Sequence, residues 1–127
     1  MQLYLDTIHA YAAAINTLNA EEFSACFAAD SQMFDPANGD PFHGPAGAVS
    51  FFSQFAPLLE SIQITPGRIY FTGNHAAFTW RLEATDTSGR TAAADGINVI
   101  ICNENGKIGA LHAYWNAGPF VATLTAA

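Results

Sequence analysis

AAFTWRLEAT (76–85), TAAADGINVIIC (91–102) and KIGALHAYWN (107–116) are three long runs of strand-forming sequence, joined through Ser88-Gly89 and Asn105-Gly106. Both dipeptides supply the backbone conformations that tight hairpin loops need, so the three runs read as an antiparallel meander. Moving toward the N-terminus, Gly73-Asn74 marks another turn, and Ile62–Ile64 and Arg68–Thr72 carry further strand signals. Before Ser61 the pattern changes. Asp6–Leu18 places Ile8, Tyr11, Ala12, Ile15 and Leu18 at helical spacing, and Asn19 with Glu22 forms an N-cap box opening a second, shorter helix through Phe23, Cys26 and Phe27. Gln32–Asp35 reads as a short strand, Pro36 to Gly44 as a turn-rich loop, and Pro45 sits at the favoured first position of a third helix ending near Phe55. Helices first and a strand meander afterwards predict an α+β fold in one domain spanning residues 1–127, with the helices packed on one face of a curved antiparallel sheet.

Alternation along the strands states which side chains face the helices. Phe78, Trp80 and Leu82 share a face, as do Asn98, Ile100 and Cys102, and again Leu111, Ala113 and Trp115. Asn98 is the polar intruder in this set. A buried amide requires hydrogen-bond partners or a ligand.

Composition narrows the function classes. Four Lys+Arg against eleven Asp+Glu give a net charge of −7, and only 12% of residues are charged while 50% are hydrophobic. A nucleic-acid binder needs a basic footprint and a disordered acidic tail needs low hydrophobicity, so both are excluded. A charged fraction well below the usual ~25% implies that part of the apolar excess lines a cavity or a subunit interface. No apolar run approaches the roughly 20 residues of a membrane helix, and the first twenty residues lack signal-peptide organisation, so the expected location is cytoplasmic. Cys26 and Cys102 have neither metal-ligand spacing nor a secretory context and read as buried small hydrophobes.

Two residues have a chemical reading beside a structural one. Asp35 precedes Pro36, which biases it toward an extended conformation. It is either an ordinary turn aspartate or a carboxylate whose pKa an apolar pocket raises into a general base's range. Tyr11, on the core face of its helix, is either packing or a neutral hydrogen-bond donor for an oxyanion.

Tyr11-Ala-Ala-Ala-Ile-Asn, Cys26-Phe27-Ala28-Ala29-Asp30, Phe34-Asp35-Pro36 and the run on through Gly44 to Phe52 together resemble the bacterial ketosteroid isomerases of the nuclear-transport-factor-like, or SnoaL-like, superfamily. The resemblance implies a cone-shaped curved sheet with three helices on its concave face, a homodimer joined through the outer sheet face, and no cofactor or metal. It implies that Asp35 is the general base and Tyr11 an oxyanion donor. Counting back from the turn at Lys107 puts Asn98 where those isomerases carry a second oxyanion donor, a protonated aspartic acid. An amide still donates one neutral hydrogen bond, without an elevated pKa. Trp80, Leu111, Ala113 and Trp115 fall on strand positions that line the family's steroid pocket, and Phe51, Phe52 and Phe55 on the helix that closes it. Phe52 stands where some members have tyrosine.

The function expected is therefore isomerisation of a small, apolar, steroid-like carbonyl compound. The superfamily's polyketide cyclases, dehydratases and non-catalytic hydrophobic-ligand binders stand as alternatives, because a fold does not choose among them. Asp95 lies on the opposite face from Asn98 unless a β-bulge turns it inward as a substitute acid. His43, before the third helix, is placed to reach a pocket mouth, while His9, His75 and His112 read as surface or interface residues. His112 and Tyr114, opposite in parity to Leu111 and Trp115, would lie on the dimer face.

Overall fold

The computed structural model describes residues 2–124. Its elements are helices α1 (Gln2–Asn16), α2 (Ala20–Ser24), α3 (Gly44–Phe55) and α4 (Ala117–Leu124), and strands β1 (Phe27–Phe34), β2 (Phe42–His43), β3 (Leu59–Thr72), β4 (His75–Asp86), β5 (Thr91–Cys102) and β6 (Ile108–Trp115). The fold is α+β, as the order of elements implies: one curved, unclosed six-stranded sheet in the order β2-β1-β6-β5-β4-β3.

The sheet departs from the expected antiparallel one at a single pair. β1 runs parallel to β6, with Met33 opposite Leu111 and Phe34 opposite His112. Strands joined by hairpins must be antiparallel, but β1 and β6 are separated by most of the chain and carry no such constraint. β1 is also longer than the four residues read from sequence, and α2 correspondingly stops at Ser24.

Local chemistry accounts for the frame. Asn19 caps α2, its side chain accepting from the Glu22 N–H at 3.0 Å. In the β5–β6 turn, Asn103 Oδ1 accepts from the backbone of Asn105 and Lys107 at 3.0 and 2.9 Å. In the β4–β5 turn, the buried Asp86 accepts from the backbone of Ser88 and Arg90 and from the Arg90 guanidinium. Ile62–Ile64 and Arg68–Thr72 are parts of one strand, β3, interrupted where its pairing with β4 shifts between Pro66 and Ile69. Pro66 has no N–H to give the ladder, and a side chain at Gly67 would strike Thr79 Oγ1, whose hydroxyl instead accepts from the Arg68 N–H at 3.0 Å.

Helix α1 is fixed to β3 at its C-terminal end by Asn16, whose amide pairs with the backbone of Ile64 in both directions, at 2.6 and 3.1 Å. That clamp sets the rotation of the helix, and with it the direction of Tyr11. The core beneath is aromatic. Phe23 is fully buried and packs on Tyr11, Phe27 and Phe52 with ring centroids 5.0–5.5 Å apart. Truncating such a ring costs about 3–5 kcal/mol, so this cluster holds α1, α2 and α3 as one layer against the sheet.

Candidate active site

Strand register brings four of the expected residues to one place. Phe78 faces Asn98 and Trp80 faces Gly96 across β4 and β5, while Asn98 faces Ala113 and Gly96 faces Trp115 across β5 and β6. Trp80, Asn98 and Trp115 thus project from neighbouring strands toward the helices. Asp35 arrives at the end of β1, and the chain after it is tied down by the Ala37 N–H donating to Ala113 O at 2.8 Å. Tyr11 comes in from α1.

These residues border a cavity of about 330 Å³ whose remaining wall is almost entirely apolar, with Phe51 and Phe55 from α3, Leu59, Ile62 and Ile64 from β3, and Phe120 from α4. Gln54 is the other polar side chain on it.

The polar groups at the inner end are ordered by two indoles. Trp115 Nε1 donates to Asp35 Oδ1 at 2.8 Å, and Trp80 Nε1 donates to Asn98 Oδ1 at 2.9 Å. Asn98, itself buried, turns its Nδ2 to the Tyr11 hydroxyl oxygen at 3.3 Å. The phenol therefore receives a hydrogen bond and keeps its own proton for a ligand. Burial pushes the Asp35 carboxyl up to about 6, against the opposing effect of the Trp115 hydrogen bond. Burial raises the Tyr11 phenol well above its ordinary value, reinforced by the nearby Asp35 charge and only partly offset by Asn98. Tyr11 is thus a neutral donor and Asp35 a carboxylate that can both take and return a proton near neutral pH. Oδ1 is held by Trp115, which leaves Oδ2 the less constrained oxygen.

Other expected residues fall elsewhere. Phe51, Phe55, Trp80 and Trp115 border the cavity, but Phe52, Leu111 and Ala113 are fully buried in the core behind it. Asp95 is not turned inward: β5 pairs with β4 without a bulge there, and its carboxylate lies on the outer face 3.3 Å from Arg81. His43 is exposed at the start of α3 and away from the cavity wall. Cys26 and Cys102 are buried free thiols. Among the described residues no three His, Cys, Asp or Glu side chains gather as metal ligands, and no helix is long and apolar enough to cross a membrane.

Sequence reading stopped at Asn116 and missed α4, which contributes Phe120, Val121 and Leu124 to the cavity. Phe120 and Leu124 at helical spacing, with Pro119 in the first turn, are the signal that was available.

A curved sheet covered by helices, holding a carboxylate and two neutral donors in an apolar cavity, defines a small α+β domain of the nuclear-transport-factor-like class. Within it, the chain belongs to the SnoaL-like domain family, whose profile matches residues 8–111. A curated relative, a steroid Delta-isomerase from Nocardioides simplex, is 28% identical over 100 residues, 79% of each chain. Among solved structures, the Δ5-3-ketosteroid isomerase from Mycobacterium sp. superposes with a TM-score of 0.79 at 20% identity, covering 90% of this chain and 93% of its own. The epoxide hydrolase/cyclase-like enzyme SalBIII does so with a TM-score of 0.80 at 19% identity, covering 91% and 92%.

Proposed function

We propose that the protein is a cofactor-independent isomerase that moves a carbon–carbon double bond into conjugation with a ketone in a steroid-like substrate. The observation that carries this reading is the convergence of Asp35, Tyr11 and Asn98 on one apolar cavity. Asp35 Oδ2 takes the proton from the carbon between the carbonyl and the double bond. The C–H electron pair becomes a new double bond and the carbonyl pair moves onto oxygen, giving a dienolate. The Tyr11 O–H and an Asn98 amide N–H donate to that oxygen as its charge develops. Asp35 then returns the proton to the far end of the dienolate, the carbonyl re-forms, and the product is the conjugated enone. The apolar walls exclude water and strengthen both hydrogen bonds. The similarity to the steroid Delta-isomerase of Nocardioides simplex supports the substrate class.

A Δ5-3-ketosteroid incubated with the protein should develop conjugated-enone absorbance, and Asp35→Asn should abolish most of it. Retained turnover in that variant would remove Asp35 from the base role. A cyclase-like or dehydratase-like reaction on another carbonyl compound would use the same carboxylate, and the SalBIII likeness supports including such compounds in the substrate panel. The working assembly we propose is a homodimer, through the outer sheet face where Ile97 and Tyr114 form an exposed cross-strand pair. A monomeric mass at micromolar concentration would count against it.

A further inference from the structure

Trp80, Gly96 and Trp115 stand opposite one another on three adjacent strands. A Cβ at position 96 would overlap Trp80 Cζ2 and lie 2.8 Å from Trp115 Cβ. Gly96 is not among the glycines with positive φ, so space rather than backbone freedom requires a glycine here. The missing side chain lets the six-membered ring of Trp80 lie over β5, and from that seat its Nε1 reaches Asn98 Oδ1. The two indoles then pack edge to face with centroids 5.4 Å apart.

An indole N–H donates and cannot accept, whereas a primary amide can do either depending on which way it is turned. Trp80 therefore decides the orientation of Asn98. With its oxygen held toward β4, Asn98 shows only N–H to Tyr11 and the cavity. Reversed, the amide would offer its oxygen to the Tyr11 hydroxyl, which would spend its proton on Asn98 instead of on a ligand.

We propose that Trp80, seated by Gly96, is a positioning residue that locks the Asn98 amide so that Tyr11 and Asn98 together present two donors, beside the acceptor carboxylate of Asp35. The site then selects ligands carrying an acceptor oxygen, a ketone or an enolate, over isosteres without one. This rests on the reading of Tyr11 and Asn98 as the oxygen-binding donors.

The test compares binding of 2-acetylnaphthalene, which has a carbonyl oxygen, with 2-ethylnaphthalene, which has nearly the same shape and none. The wild type should prefer the ketone, and Trp80→Phe should cut that preference about tenfold, the size of one neutral hydrogen bond; the apolar wall lost with the larger ring weakens both ligands alike and cancels in the ratio. Gly96→Ala should do the same by displacing the ring. Because Trp80 acts on the ketone through Asn98, the Trp80→Phe/Asn98→Ala double variant should show the same ketone preference as Asn98→Ala alone. Equal loss of both ligands, an unchanged preference in Trp80→Phe, or additive effects would overturn the lock. If Tyr11→Phe and Asn98→Ala themselves leave the preference intact, the oxygen-binding reading falls and the lock with it. If they lower it and Trp80→Phe does not, only the lock falls. Should Trp80→Phe not fold, the indole N–H resonance of Trp80 in ¹⁵N-labelled protein decides. It must shift and exchange faster in Asn98→Ala, and an unmoved resonance overturns the proposal.

Discussion

The indole of Trp115 donates to Asp35 Oδ1 at 2.8 Å, so the carboxylate proposed as the base is held by a donor that favours its charged form. Burial pulls the other way and prevails, leaving the group near 6. Trp115→Phe keeps a smaller aromatic ring at the wall and removes the donor to Asp35. The Asp35 pKa should then rise further, and the acid limb of the kcat/KM profile, expected near pH 6 in the wild type, should move to higher pH. Loss of the orienting bond should also lower the plateau. A profile with an unmoved acid limb would show that the hydrogen bond does not tune the base.

Asp35 also gives a stability signature that is independent of any substrate. Its folded pKa of about 6 lies above the ordinary value of 3.8, so the folded chain binds the proton more tightly than the unfolded one. The ionised group costs nothing below about pH 4, an increasing amount between 4 and 6, and a constant amount above. Asp35→Asn should therefore stabilise the protein at pH 7 and above by at most about 3 kcal/mol, and by little at pH 4. Denaturant unfolding at both pH values measures the difference. A variant equally stable to wild type at pH 7 would mean that the carboxylate bears no desolvation cost. The same variant should lose at least about a hundredfold in turnover, the lower range for a general base. More stable and less active is the combination expected of a group held for chemistry rather than for folding.

Much of this site was legible in the sequence, and the reason is periodicity. Strand parity alone placed Asn98 among inward-facing apolar residues, and helical spacing put Tyr11 on a core face. Asp35 was ambiguous locally because Asp-Pro is equally good turn chemistry. Only the resemblance of the whole run from Tyr11 to Phe52 tipped its reading. What stayed illegible depends on pairing between distant strands. The parallel β1–β6 contact, the Trp80–Asn98 bond and the need for glycine at 96 all follow from register, which spacing within one strand does not encode. Leu111 and Ala113 share a strand face with Trp115, and Phe52 a helix with Phe51 and Phe55, yet neither strand parity nor a shared helix says anything about depth, and all three lie in the core behind the cavity.

Tyr11→Phe tests the oxyanion side. Turnover should fall by about 10² to 10³, as when one donor to a developing oxyanion is removed. The phenol stays neutral across the working pH range because burial raises its pKa, so the acid limb of the profile should not shift appreciably. The substitution also leaves Asn98 Nδ2 without the hydroxyl acceptor in a buried place, which should cost about 1–3 kcal/mol of stability. Rate measured over pH 4 to 9, beside an unfolding curve, separates the two effects. Full turnover in Tyr11→Phe would assign oxygen binding to Asn98 alone.

Helix α4 supplies the last prediction. Phe120 borders the cavity and packs edge-on against Trp115, with centroids 5.5 Å apart. It thus touches ligand space and the indole that holds the base. Removing the ring withdraws apolar wall, and at about 25 cal/mol per Å² the loss of a partly exposed phenyl contact should weaken binding of an apolar ligand on the order of tenfold. A role confined to the wall would raise KM with kcat unchanged. A role in bracing Trp115 would instead lower kcat and move the acid limb of the profile in the same direction as Trp115→Phe, because the hydrogen bond to Asp35 would loosen. The packing of Phe120 on the same ring that donates to Asp35 favours the second outcome, so Phe120→Ala should show both a weaker affinity and a displaced acid limb. A change in KM alone would restrict α4 to the wall of the cavity.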